Sequence, residues 1–148
     1  MSGTEKSKRA CNSWKHFHHV ADIGVRGYGL TLENSFEQAG LALTAVITDP
    51  ALVNLDKVIF LSCAASDIEL LLADWLNGLI YEMATRNMLF GRFEVLIHDL
   101  RLTGKAWGEQ VDVGKHMPAV EVKGATYTAL KVWQAKNGLW VAKCVVDV

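Results

Sequence analysis

The stretch that decides the fold is residues 66–107, SDIELLLADWLNGLIYEMATRNMLFGRFEVLIHDLRLTGKAW, in which the hydrophobic period changes from that of a helix to that of a strand. Ile68, Leu71, Leu72, Trp75, Leu76, Leu79, Ile80 and Met83 recur every three or four positions, which predicts one long helix with a wide buried face. Ser66 as N-cap with Glu69 three residues later reads as a capping box at its start. Phe93, Val95 and Ile97 then alternate with polar neighbours. Beyond His98-Asp99, Leu100, Leu102 and Lys105-Ala106-Trp107 continue the pattern, so two consecutive antiparallel strands are expected.

Working outward, Lys57 to Ala64 reads as a strand rich in Val58, Ile59, Phe60 and Leu61. Upstream of it, Thr31 is the expected N-cap of a helix carrying Glu33 in its first turn and Phe36, Ala39, Leu43 and Val46 or Ile47 on one face. Asp49-Pro50 ends it, because the residue before proline is pushed out of the α region. Trp14 to His19 and Val25 to Gly29 read as extended pieces joined by the loop His19-Val20-Ala21-Asp22-Ile23-Gly24. Downstream, residues 110–118 read as a loop or a single helical turn. Glu121 to Gln134 and Leu139 to Val148 read as a hairpin around Lys136-Asn137-Gly138, with Asn-Gly favouring a type I′ turn. This order predicts an α+β single domain over residues 14–148, a mostly antiparallel bent sheet with two helices packed on one face. A disordered basic tail over residues 1–13 precedes it, in which Lys6, Lys8 and Arg9 outnumber Glu5 by two charges.

At 148 residues, 51% hydrophobic and with 2 prolines, the chain is apolar enough to offset its ordering entropy around one core, which excludes general disorder. A net charge of −1 excludes the strongly basic balance of a dedicated nucleic-acid domain. Three cysteines with no C-x-x-C pair fit reduced thiols, and neither a membrane span nor a secretory leader is legible, so a cytoplasmic location and no membrane partner are expected.

No phosphate loop, dinucleotide fingerprint, H-E-x-x-H or G-x-S-x-G is present, which disfavours nucleotide binding by this chain alone. His16, His18 and His19 lack the second pair of soft ligands that zinc needs and read as histidines of a half-exposed strand. Cys63 and Cys144 read as small core residues. Two carboxylates stand out. Asp22 sits just before Gly24, where an Asx turn is one reading and a ligand another, and Asp147 is penultimate. If the final strand runs beside the first, Asp22, Asp147 and the α-carboxylate of Val148 converge as oxygen donors for a hard divalent cation; a solvated strand end is the alternative. In Lys123 to Thr128, Lys123, Ala125 and Tyr127 are expected on one strand face, with Thr126 and Thr128 on the other.

In this order and spacing, residues 19–24 (HVADIG), 31–36 (TLENSF), 75–77 (WLN), 123–127 (KGATY) and 145–148 (VVDV) resemble the archease family, small proteins that activate the RtcB-type RNA ligase in tRNA splicing and RNA repair. The resemblance covers roughly Phe17 to Val148. It implies a fold similar to part of a heat-shock chaperone and no catalytic residues of the chain's own. It also implies a divalent cation held by Asp22, Asp147 and Val148, with Ca²⁺ the ion expected in a crystal and Mg²⁺ or Mn²⁺ as alternatives. The implied partner is the ligase, whose GTP-dependent guanylylation and multiple turnover the chain would promote, RNA being met only indirectly through it. His19, Lys123, Thr126 and Tyr127 are the candidates for partner activation. Thr128 departs from the histidine usual after Thr-Tyr, and Gly78 from the glutamate common after Trp-Leu-Asn, at a cost of about 1 kcal/mol relative to alanine. Two other classes compete: a chaperone-like binding module for RNA-modifying enzymes, and a metal-dependent hydrolase using Asp22 and Asp147 with His19 as its only evident base.

Overall fold

The computed structural model describes residues 11–19 and 21–148. In chain order its elements are β1 (Ser13–His19), β2 (Asp22–Gly29), α1 (Leu32–Ile47), a 3₁₀ turn (Pro50–Leu52), β3 (Lys57–Ala64), α2 (Ile68–Arg86), β4 (Met88–His98), β5 (Arg101–Gln110), α3 (Val113–His116), β6 (Gly124–Ala125), β7 (Lys131–Gln134) and β8 (Trp140–Asp147). Of the expected tail, residues 1–10 lie outside the described residues, and Ser13 already belongs to β1.

The α+β class holds, but the one bent sheet is two antiparallel sheets. The first runs β1-β2-β8, with β6 and β7 sharing the far edge of β8; the second runs β3-β5-β4. Helix α1 keeps them apart. It seats on β2 with almost no side chain between: a Cβ at Gly27 would fall 2.2 Å from the Ser35 carbonyl oxygen and 2.4 Å from the Ala39 nitrogen. At Gly29 it would fall 2.3 Å from the Ser35 nitrogen. On its other side, α1 faces β4, where the Thr44 hydroxyl donates to the Phe90 carbonyl at 2.7 Å and Gly40 leaves room for the Phe93 ring. The second helix closes the core from the side. The Trp75 indole donates to the Phe36 carbonyl at 3.0 Å, tying α2 to α1, and its ring fills the space left by Gly104 of β5.

Several local expectations change for physical reasons. Asp67, not Ser66, caps α2, accepting the Leu70 N–H at 2.8 Å; Glu69 is thereby released to accept the Val132 N–H at the edge of β7. Asn87, in the left-handed region at φ 54°, ends α2 and leads straight into β4. That strand starts at Met88 rather than Phe93, because a register shift between Phe90 and Arg92 breaks the period-two pattern. The final turn is not type I′, which needs positive φ at both central residues. Only Gly138 has it, at 87°; Gly138 donates to Ala135 and Ala135 to Leu139, the three-residue turn with a terminal left-handed glycine. The strand expected over Glu121 to Gln134 is two short pieces, β6 and β7, separated by a loop in which Ala129 takes φ 54°.

Carboxylates finish what the ladders leave open. Glu37 of α1 accepts the Val95 N–H of β4 at 2.9 Å, as Glu69 does for β7. A single oxygen of Glu109 takes three donors: the Lys115 ammonium at 2.6 Å, the Asn54 N–H at 2.8 Å and Nε2 of buried His116 at 2.9 Å. Because Nδ1 of His116 accepts the Asp112 N–H, the ring hydrogen is on Nε2 and points at Glu109. The hydrogen bond from Lys115 first, then those from Asn54 and His116, hold the Glu109 carboxyl down at about 2.

Two glycines and one carboxylate make this packing testable. Gly27→Ala drives a methyl into the α1 backbone and should destabilise by several kcal/mol, as severe overpacking does. At Gly78 the added methyl meets only the flexible Leu61 Cδ2, at 3.3 Å, so Gly78→Ala should gain about 0.5–1 kcal/mol of helix propensity in urea unfolding. For Glu109, a carboxyl held at about 2 against an ordinary 4.5 stabilises the fold above pH 4.5. That contribution fades as the pH falls through the folded value, because the unfolded chain takes up the proton first. Melting curves of Glu109→Gln should therefore show a lower Tm at neutral pH and a shallower loss between pH 4.5 and 2 than the parent.

Candidate functional site

Asp22 is the first residue of β2 rather than a loop residue, and it pairs with His19 of β1. Among the described residues its side chain makes no hydrogen bond, so the Asx-turn reading falls. The final strand runs beside β2, not beside β1. Because Ile23 pairs with Val146, the next position along the ladder sets Asp22 opposite Asp147. Residues so placed have Cα atoms about 4.5–5.5 Å apart.

Side-chain direction follows from the seat of α1. Gly27 and Gly29 face the helix, so the alternate positions Asp22, Gly24, Arg26 and Tyr28 face away from it, as do their cross-strand partners. His19, Asp22 and Asp147 thus form one row at the end of the first sheet, on its face remote from α1. Asp22 is half-buried, Asp147 exposed, and the Val148 side chain packs against the core. Among the described residues no cation pairs with either carboxylate, and no three His, Cys, Asp or Glu side chains are grouped to hold a metal. The candidate donor set is therefore two carboxylates and the main-chain oxygens of Val148. All are hard oxygen donors of the kind Ca²⁺ or Mg²⁺ takes.

The segment after Pro118 frames this row. The Lys123 N–H donates to the Asp147 carbonyl at 2.8 Å, placing an exposed lysine beside the strand end. Thr126 both donates through its hydroxyl to the Val145 carbonyl and accepts the Thr128 N–H, which turns the chain out of the sheet. The alternation expected along Lys123 to Thr128 fails here: Thr126 is half-buried, whereas Tyr127, past the end of β6, is 73% exposed. Asn77, on the exposed side of α2, accepts the Ala125 N–H at 2.9 Å and fixes this segment from below. It was legible only as part of the Trp-Leu-Asn match. Its role comes from a partner 48 residues away, which no local pattern shows.

The other sequence candidates are structural. His16, on the opposite face of β1, donates from Nε2 to the Ala42 carbonyl of α1 at 2.8 Å. Cys144 is buried against Thr126, and burial pushes its thiol up to about 11. Cys63 is raised to about 11 as well, by burial first and then by Asp74. Neither is an activated nucleophile.

The model of the Archease protein family (MTH1598/TM1083) matches residues 14–148. Protein archease of Pyrococcus furiosus is 40% identical over 139 residues, covering 91% of this chain and 98% of that one. Protein archease of Sulfurisphaera tokodaii is 36% identical over 137 residues with the same coverage. Among solved structures, protein 1598 of Methanobacterium thermoautotrophicum superposes with a TM-score of 0.81 at 34% identity, over 92% of this chain and 99% of that one. An archease of Thermotoga maritima described as a possible chaperone shares the fold, with a TM-score of 0.56 at 18% identity over 90% and 96%.

Removing the Asn77 tie should loosen the segment without unfolding the domain. Asn77→Ala is expected to cost about 1 kcal/mol. It should also raise the hydrogen-exchange rate of the Ala125 amide selectively, leaving core amides of β2 unchanged.

Proposed function

The chain belongs to the archease family, and on that premise we propose that it is a non-enzymatic activator of an RtcB-type RNA ligase, promoting the ligase's GTP-dependent guanylylation through a divalent cation held by Asp22, Asp147 and Val148. The observation that carries this reading is the register of β2 against β8, which opposes two carboxylates at a sheet end with no cation paired to them among the described residues. Like charges directly opposite repel. A divalent cation between them relieves that repulsion with donors of the right hardness. When bound, such an ion supplies the charge neutralisation that phosphoryl transfer requires.

The chain's own residues do the positioning. The Lys123 amide fixes the strand end through Asp147, and its exposed ammonium is placed to meet a phosphate or a partner carboxylate as a point charge. Thr126 anchors the turn that presents Tyr127 to a partner surface, and His19 stands across from Asp22.

A second reading, a chaperone-like module, draws on the description of the Thermotoga relative and on the outer face of β3-β5-β4. There Phe60 and Leu96 are 69% and 72% exposed beside a groove of about 450 Å³.

One variant separates the two. In chelator, Asp147→Asn should raise Tm by removing the repulsion, and it should abolish the Tm rise that Ca²⁺, Mg²⁺ or Mn²⁺ gives the parent. With the cognate ligase, GTP and Mn²⁺, the parent should stimulate ligase guanylylation and Asp147→Asn should not. Absence of stimulation by the folded parent overturns the activator reading. Suppression of client aggregation that survives Asp147→Asn favours the chaperone reading instead.

A further inference from the structure

Two rows along the same face from the carboxylates, the registers of four strands align four cations. Lys15 of β1 pairs with Arg26 of β2, Arg26 with Lys143 of β8, and Lys143 with Lys131 of β7. Paired residues share a face, so these four side chains form a continuous row, spanning about 14 Å at the usual strand spacing. All project from the surface remote from α1. Among the described residues none of the four has an acidic partner, and Arg26 keeps a buried Nε with no hydrogen bond.

Aromatic rings interleave them. The Lys15 ammonium lies 5.9 Å from the Tyr28 ring, the Arg26 guanidinium 5.3 Å from Phe17, and the Lys131 and Lys143 ammonium groups 4.6 and 5.6 Å from Trp133. Between this row and the row of Asp22 and Asp147 lies an uncharged one, Phe17, Gly24 and Val145. It separates the cations from the carboxylates by about 13 Å along the strands.

Four like charges held side by side repel one another. The rings relieve part of this, but no carboxylate does, so a polyanion is the ligand this face lacks. We infer that the basic, aromatic face of the β1-β2-β8-β7 sheet binds a single-stranded nucleic acid, its phosphates on Lys15, Arg26, Lys143 and Lys131 and its bases against Phe17, Tyr28 and Trp133. The combination of a cationic track and ring faces on a sheet is what such strands recognise. An acidic protein surface would use the charges, but it does not supply the regularly spaced planar groups that a row of ring faces stacks. The near-neutral total charge hides this row, because acidic residues outside it, Asp22 and Asp147 at the end of the same face among them, offset its charge. RNA then has a direct contact on this chain, beyond what the activator reading requires.

The test uses the full chain and an oligouridine RNA of about 12 nucleotides, followed by fluorescence anisotropy with no ligase present. Each phosphate engaged on a single strand contributes about −0.7 to the slope of log affinity against log salt, so three or four contacts should weaken binding roughly 20- to 50-fold between about 50 and 200 mM salt. The triple variant Lys15→Gln, Lys131→Gln, Lys143→Gln keeps the aliphatic stems and should melt within a few degrees of the parent. Its affinity should fall at least tenfold, with a slope near −0.7. Polyglutamate of matched charge should compete poorly. No binding at about 50 mM salt, unchanged binding by the folded triple variant, or equal competition by polyglutamate would each overturn the inference, the last pointing to an acidic protein. Because ligase stimulation is read separately through Asp147, failure of one proposal leaves the other standing.

Discussion

The backbone-to-backbone seat of α1 on β2 is the constraint on which the rest depends. With glycine at positions 27 and 29, the helix approaches until a methyl at either would overlap its main chain. That proximity makes β2 the spine of the first sheet, buries Val25 completely, and leaves the helix's far side available to β4. It also settles direction. Once the odd-numbered residues of β2 are committed to the helix, Asp22, Arg26 and Tyr28 point the other way, and pairing carries that choice across to β1, β8 and β7. Both rows, the carboxylates and the cations, are consequences of where two side chains are missing.

A helix wedged between two sheets leaves strand edges that an extended sheet would have paired, and the chain closes them with carboxylates. Glu37 and Glu69 each accept one amide from an edge strand, and Glu109 gathers the 3₁₀ connection, β5 and α3 on a single oxygen. An unpaired edge is a template for association, and a side chain from a neighbouring helix removes donors without adding a strand. The outer edge of β3 has no such cover among the described residues, which sets it apart from β4 and β7.

Periodicity carried much of this. The two long helices, the strand Lys57–Ala64, the β4–β5 hairpin and the Thr31 cap all follow from local spacing and local capping chemistry, and all are found. What period could not carry is long-range choice. Ser66 and Asp67 are both competent caps, and Asp67 prevails in a helix whose Glu69 is engaged by β7, a partner 63 residues away. A bulge at Gly91 hid five residues of β4. A helix between two sheets buries a wider arc than one on a single sheet, but here the second side is made by Gly40 and Thr44, which do not extend the apolar stripe that the sequence shows. The candidate site divides the same way. Asp22 and Asp147 were legible as residues, through their motifs, but their opposition depends on β8 choosing β2. Asn77 and the cationic row depend on registers between strands far apart in sequence.

The cationic row has no signature in the sequence, for a simple physical reason. Lys15, Arg26, Lys131 and Lys143 are isolated in the sequence, each among apolar or aromatic neighbours, and total charge averages them against 16 acidic residues. Folding undoes the average. Antiparallel pairing stacks one cation from each of four strands and places the two aspartates at the end of the same face, with an apolar row between. A polyanion lying along the cations crosses the strands and so runs parallel to the carboxylate row, held about 13 Å from it by the intervening residues. The two rows therefore present opposite charge on one face without competing for the same stretch of ligand, because their separation exceeds the screening length of about 8 Å at physiological salt.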